Sequence, residues 1–268
     1  MNPIVLTLAS SDPSGGAGLQ ADLKTFQAFG AYGMSVVTGL TAGNTEGVRD
    51  VFAVDASFID QQIALVIEDI LPHGIKTGFF LDSESIGSVV RRLRMFSDIP
   101  LVVDPVLSTK RGDQIAADMV IQALIDDMIP LAHLITPNLK EAELLTGISV
   151  EDERSLKKAV KRLLSLGCES VLITSCNLID DENAVDYFAD SNSHYWFSAP
   201  KLQTTDLHGT GDTLSAAITI LLAQGIEIRS AIQTAKSYVH KAIQSAPGLG
   251  RGLGPLNHRI LYESIRES

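Results

Sequence analysis

The chain has 268 residues, of which 45% are hydrophobic and 20% charged, with a formal net charge of −11. An α/β chain of this length can bury a large core as one unit, so a single domain over residues 1–268 is expected. The acidic balance argues against a general nucleic-acid binder, and any polyphosphate ligand must be held by a local site against the global field.

Strand-like and helix-like segments alternate from end to end. The apolar run at 4–9 before turn chemistry predicts a buried strand. A helix follows over 17–29, with Leu19, Leu23 and Phe26 on one face and Gly30 as a stop signal. Residues 34–40 are again strand-like. Ser57 is expected to cap a helix that carries Ile59, Ile63, Val66, Ile67 and Ile70 on one stripe. A strand over 74–77 and a helix over 83–96 come next, then short strands at 101–104 and 134–136, each ending in a polar residue followed by Pro. Residues 155–166 read as a helix and 171–174 as a buried strand. Segments 185–189 and 194–198 suggest an antiparallel pair, where the parallel pattern lapses. Helices over 212–224 and 228–245 precede a glycine-rich exit and a terminal helix.

Repeated strand–helix units imply a mostly parallel sheet covered by helices on both faces. Ligands in such sheets sit outside the carboxyl ends of the strands. Polar and glycine-rich residues cluster after strand ends, at 10–18, 43–45, 104–105, 136–138 and 174–177, and should converge on one site.

The most informative stretch is Asp206–Ile218. Gly209 and Gly211 permit a tight turn that presents successive N–H groups to an anion, and a following helix points its positive end there. Asp212 places a carboxylate beside those amides. The combination suits phosphoryl transfer, with amides holding developing charge while the carboxylate takes a proton from an attacking alcohol. The competing reading is an N-capped helix after a glycine turn.

The loop Ser10–Gly18 has neither the Gly-Lys-Ser/Thr of a Walker A loop nor dinucleotide-fingerprint spacing, and would let a flat substrate lie against backbone. Asp22, one turn into the next helix, is a candidate acceptor for a ligand amino group, against the reading of a solvated helix residue. Asn138 and Glu141, three apart at a helix start, are placed to steer a hydrated Mg²⁺, or else to cap the helix. Asp104 is expected to orient metal waters or a phosphate-facing lysine, with a turn-forming Asp as the alternative. His208 is expected to hydrogen-bond locally and Trp196 to serve packing, and Arg251 is a candidate phosphate contact against the reading of a commonplace glycine-rich exit. Cys168 and Cys176 fit neither a disulfide framework nor a zinc site. The first lysine is Lys24, so the apolar start lacks a basic flank, and no apolar run approaches the roughly 18 residues of a membrane span. A cytoplasmic protein without a membrane partner is expected.

Taken in order, Ser-Asp-Pro-Ser-Gly-Gly-Ala-Gly-Leu-Gln-Ala-Asp-Leu-Lys-Thr-Phe (11–26), Gly-Ala-Tyr-Gly-Met-Ser (30–35), Asn-Thr-Glu-Gly-Val (44–48), Val-Asp-Pro-Val (103–106), Thr-Pro-Asn-Leu-Lys-Glu-Ala (136–142) and His-Gly-Thr-Gly-Asp-Thr-Leu-Ser-Ala-Ala (208–217) resemble the hydroxymethylpyrimidine/phosphomethylpyrimidine kinases. These form the thiamin-pathway branch of the ribokinase superfamily. The resemblance covers essentially the whole chain. It implies a ribokinase-like α/β fold, a homodimer, Mg·ATP as donor, and phosphorylation of a hydroxymethylpyrimidine and then of its monophosphate. Carried over by position, Gly209, Thr210 and Gly211 form the anion hole and Asp212 is the base. Asn138 and Glu141 form the Mg/phosphate motif, and Asp22 holds the aminopyrimidine.

Several positions depart from that pattern. Asp212 stands where the thiamin branch usually has Cys. Gly43 replaces a Gln that contacts the pyrimidine, Phe79 a pocket Met and Ser10 a pocket Gly. Thr174-Ser175-Cys176-Asn177 replaces Lys-Gly-Gly-His, which removes a phosphate-side cation at Thr174. Two other readings follow: a kinase for pyridoxal or pyridoxine, and a catalytically weak homologue that binds nucleotide or pyrimidine.

Overall fold

The computed structural model describes residues 2–108, 114–176, 178 and 182–260. The expected terminal helix and Asn177 lie outside the described residues. Nine strands form one sheet: β1 (Ile4–Ser11), β2 (Tyr32–Asn44), β3 (Gly47–Ala53), β4 (Gly74–Thr77), β5 (Leu101–Val103), β6 (Leu134–Ile135), β7 (Ser170–Ile173), β8 (Asn183–Asp190) and β9 (His194–Pro200). Their order across the sheet is β3-β2-β1-β4-β5-β6-β7-β8-β9. The six strands from β2 to β7 in that order run parallel. Antiparallel strands close both margins, β3 against β2 and β8–β9 beyond β7. Strand order reverses at β1, which pairs with β2 on one side and β4 on the other, so a crevice opens beyond their carboxyl ends.

The central parallel strands alternate between two cores. Leu6, Leu8, Ile75, Val103, Ile135, Val171 and Ile173 pack on one face against α2 (Ala56–Asp69), α3 (Ser83–Leu93), α4 (Asp118–Ala123), α5 (Leu139–Thr146) and α6 (Glu153–Leu164). Val5, Val102, Leu134 and Leu172 face α1 (Gly18–Ala28), α7 (Thr210–Ala223) and α8 (Ile228–Gln244). The period of two therefore turns Thr7, Lys76 and Asp104, the neighbours of these alternating residues, towards α1 and α7. That alternation puts charge under the helix that starts at the glycine turn.

Three elements differ from the sequence expectations. The hairpin strand β3 has every residue exposed, so it carries none of the alternation that marks a half-buried strand. Helix α4, absent from the sequence reading, runs into a π-turn at Leu124–Met128 and a 3-10 turn at Ile129–Leu131 carrying Pro130, which breaks the helical period. Ser57 lies inside α2 rather than at its cap; Asp55 occupies the cap position without a side-chain hydrogen bond. The expected antiparallel pair is present as β8–β9, and Trp196 packs on Tyr187 with ring centroids 4.5 Å apart.

Candidate active site

The helix expected from Asp212 begins two residues earlier, at Thr210, after Gly209 in the left-handed region at φ 82°. A Cβ at Gly209 would overlap the carbonyl oxygen of Gly16. Backbone therefore packs directly on backbone here, and the first loop and the α7 turn form one surface. Asp12 fixes that loop: its carboxylate accepts from the amides of Ser14 (2.9 Å), Gly16 (3.2 Å) and Ala17 (2.9 Å) and from the Ser14 hydroxyl. His208 completes the tie, its Nε2 lying 2.9 Å from Asp12 Oδ2. Burial alone would raise the Asp12 carboxyl, but His208 and the loop donors hold it well below the usual carboxylate range.

At the helix start the Thr210 amide and hydroxyl both turn back to the Leu207 carbonyl, so Thr210 locks the turn. The amides of Gly211 and Asp212 have no hydrogen-bond partner among the described residues. They stand at the positive end of a 14-residue helix, an arrangement that favours an anion.

Beneath them lies a buried charge cluster whose central residue the sequence reading did not identify. Lys76 on β4 is fully buried, with Nζ 2.5 Å from Asp22 Oδ1 and 3.2 Å from Asp212 Oδ1. Thr7 Oγ1 donates to the other Asp22 oxygen at 2.6 Å. Burial would depress the lysine, but the Asp22, Asp212 and Asp104 carboxylates outweigh it and raise Lys76 above its ordinary value. Burial pushes Asp22 up to about 7, and Asp212 adds to that push against Lys76 and Thr7. Asp212 is driven the other way: despite burial, Lys76 and the Gly18 amide hold its carboxyl low. Two carboxylates share one cation, and the one nearer the surface is held the more firmly ionised.

This geometry corrects the expectation for Asp22. It is neither solvated nor directed at a ligand, because both oxygens are engaged in a completely buried network. Asp104 is also buried, with Oδ2 accepting from Ser215 at 2.9 Å, and the lysine whose charge it stabilises is the buried Lys76 rather than one that faces a phosphate.

The remaining expected residues divide. Ser10 is buried and donates to the Phe79 carbonyl at 3.2 Å, which Thr38 also holds at 2.9 Å; Phe79 itself is half-buried, two residues past the end of β4. Gly43 sits at a register irregularity between β2 and β3, where a Cβ would lie 2.9 Å from the Gly47 carbonyl. A side chain there must displace the hairpin partner, so the site does not simply await an amide. Asn138 and Glu141 form a reciprocal capping box on α5, at 3.0 and 2.9 Å, and the second Glu141 oxygen accepts from Leu107 N at 3.2 Å. Arg251 pairs with Glu46 at 3.2 Å rather than facing the turn.

On the far side, Thr174 N donates to Pro137 O, bridging β7's end to the Asn138 turn. The next residue, Ser175, is the one non-glycine at positive φ (57°) among the described residues. Its amide donates to Asp186 Oδ1 at 2.9 Å, and Asp186 is paired with buried Lys236 at 2.6 Å. The network holds a serine in a conformation that costs an L-residue about 1–2 kcal/mol. Ser175→Gly should therefore raise the unfolding free energy by about 0.5–1 kcal/mol in a denaturant titration; an unchanged or lower midpoint would contradict this.

Four buried hydroxyls, on Thr77, Ser108, Thr136 and Tyr238, have no hydrogen-bond partner among the described residues. Thr77 ends β4, Thr136 directly follows β6, and Ser108 lies in the segment after β5, so these three belong to the carboxyl-end side of the sheet. The sequence signal for them was only the strand ends themselves.

The sequence profile of the phosphomethylpyrimidine kinase family matches residues 12–257. The thiamine biosynthesis bifunctional protein ThiED of Geobacter sulfurreducens is 41% identical over 263 residues, covering 98% of this chain; the chain spans 54% of that protein's length. A hydroxymethylpyrimidine/phosphomethylpyrimidine kinase of Staphylococcus aureus is 38% identical over 256 residues, covering 95% of this chain and 93% of that one. Among solved structures, the ADP complex of Bacillus subtilis pyridoxal kinase superposes with a TM-score of 0.89 at 34% identity, covering 97% of this chain and 99% of that one. The fold is thus shared with ribokinase-like vitamin kinases.

Proposed function

The chain belongs to the phosphomethylpyrimidine kinase family, and from that premise we propose that it transfers the γ-phosphoryl group of ATP to hydroxymethylpyrimidine and then to its monophosphate. The observation that carries this reading is the Asp212 carboxylate beside the unpartnered amides of Gly211 and Asp212, on a turn fixed by the first loop. Asp212 takes the proton of the acceptor hydroxyl as its oxygen bonds to the γ-phosphorus. The bond to the bridging oxygen breaks, ADP leaves, and the helix-start amides hold the charge on the group in flight. For the second transfer the phosphate oxygen of the monophosphate is the nucleophile at the same site.

Among the described residues no group of three or more His, Cys, Asp or Glu could by itself hold a metal ion. Glu141 and Asn138 spend their oxygens on backbone amides. They fit a Mg²⁺ that arrives with the nucleotide and is touched only through water, where it would neutralise phosphate charge. Glu141→Gln should then raise the Mg²⁺ concentration needed for half-maximal rate by about 10–100-fold. A lowered melting temperature with an unchanged Mg²⁺ titration would leave Glu141 a helix cap.

Pyridoxal is the second acceptor to weigh, because a half-buried aromatic residue, Phe79, follows β4 and stacking discriminates weakly between flat heterocycles. Comparing kcat/KM for hydroxymethylpyrimidine and pyridoxal in wild type and Phe79→Met tests it. The pyrimidine should be preferred in both, with the margin widened in Phe79→Met; a wild type that prefers pyridoxal would reverse the assignment. The reading includes a homodimer, supported by the apolar side chains of Val48, Val51 and Phe52 that edge strand β3 leaves exposed and a second copy could pair with. No helix among the described residues is long and apolar enough to cross a membrane, and a cytoplasmic location belongs to the same reading.

A further inference from the structure

The transfer described above needs a base, a set of amides and a donor; it does not by itself need Lys76. Yet Lys76 occupies the centre of the site, on a four-residue strand whose every residue is buried. A buried ammonium in an apolar strand is costly unless its partners are placed for it. Here they come from two helices: Asp22 from α1 at 2.5 Å and Asp212 from α7 at 3.2 Å. The two partners are not equivalent. Asp22 is sealed and held from behind by Thr7, whereas the Asp212 side chain keeps 16% of its surface exposed and alone can meet a substrate.

We propose that Lys76 is a positioning residue for the base: anchored by Asp22 and Thr7, it holds the Asp212 carboxylate ionised and in one orientation at the edge of the Gly209–Gly211 turn. This rests on the reading of Asp212 as the base. Lys76 cannot itself reach the acceptor, because it is fully buried, nor accept its proton, because three carboxylates keep it cationic. Asp22 plays the counterpart. By sharing the ammonium it prevents Asp212 from being stabilised so far that it becomes a poor proton acceptor. The other charged or titratable groups around Asp212 are Asp104 beyond β5, His208 before α7, and His258, which lies 2.9 Å from Thr213 Oγ1 and is in turn influenced by Lys24.

The arrangement makes a signed prediction that a merely structural role would not. In Lys76→Met the cation is lost and the Asp212 carboxyl should titrate about one pH unit or more higher. In Asp22→Asn the whole ammonium falls to Asp212, and its titration should move lower while the plateau kcat falls several-fold. Two readouts on the full chain follow this: the ¹³Cγ shift of Asp212 in aspartate-labelled protein, assigned through Asp212→Asn, and the acid limb of kcat with ATP and hydroxymethylpyrimidine. Opposite movements in the two variants are expected. Should Lys76→Met fail to fold, Asp22→Asn, which keeps the side-chain shape, still decides by the direction of its movement. An Asp212 titration that is unmoved in the folded variants, or that moves the same way in both, would overturn the proposal. Wild type that releases no ADP with the acceptor, while Asp212 titrates as expected, would instead sink the kinase reading and leave standing only the hold of Lys76 on the Asp212 carboxylate.

Discussion

Replacing Asp212 by Asn should lower turnover by roughly 10²–10⁴, the usual range for loss of a general base, while ATP binding stays close to normal. The size follows from position. Of the two carboxylates on Lys76, Asp212 is the one with exposed surface, the one held in the charged state, and the one next to free helix-start amides. Asn keeps the volume and can still accept from Lys76, so folding should survive and the loss should fall on kcat rather than on KM. Near-normal turnover of the folded variant in an ADP-release assay would remove Asp212 from the chemistry.

Gly209→Ala should be among the most damaging single methyl groups at the described glycines, costing about 2–4 kcal/mol of stability and most of the activity. Two penalties coincide there. The residue sits at φ 82°, and its Cβ would overlap the Gly16 carbonyl, which is backbone and cannot swing aside. Gly225, just beyond α7 at φ 76°, provides the control, because a Cβ there meets nothing within 4 Å. Gly225→Ala should therefore show only the conformational cost, about 1 kcal/mol. Equal melting temperatures for the two variants would mean that the first loop does not pack on the α7 turn as described.

How far the sequence disclosed the site depends on the kind of signal each residue leaves. Gly209, Gly211 and Asp212 were legible because turn glycines, a helix start and a carboxylate lie together within four residues. The parallel sheet was legible because buried strands and amphipathic helices differ in period, and the β8–β9 pair because that alternation lapses there. Lys76 was not, since a lone charge in the short run Gly-Ile-Lys-Thr has no pattern around it, and its partners lie 54 and 136 residues away. Asp22 was placed on the wrong neighbour for the same reason. Its position on α1 is compatible with either face, and only the α1–β4 contact decides. Asn138 and Glu141 show the opposite case, where a local signature, the capping box, is fully realised and any metal role must act through it. Strand β3 left no trace because an exposed edge strand has no buried side to alternate with.

The central claim is tested most directly by counting ADP released per hydroxymethylpyrimidine consumed, with excess Mg·ATP and the products separated. A kinase for the alcohol and for its monophosphate at one site predicts two ADP for each pyrimidine carried to the diphosphate, with the monophosphate appearing first and Asp212→Asn slowing chiefly the first step, whose nucleophile must lose a proton. ADP release that does not depend on the pyrimidine, or that stops at one equivalent with no diphosphate formed, would contradict it.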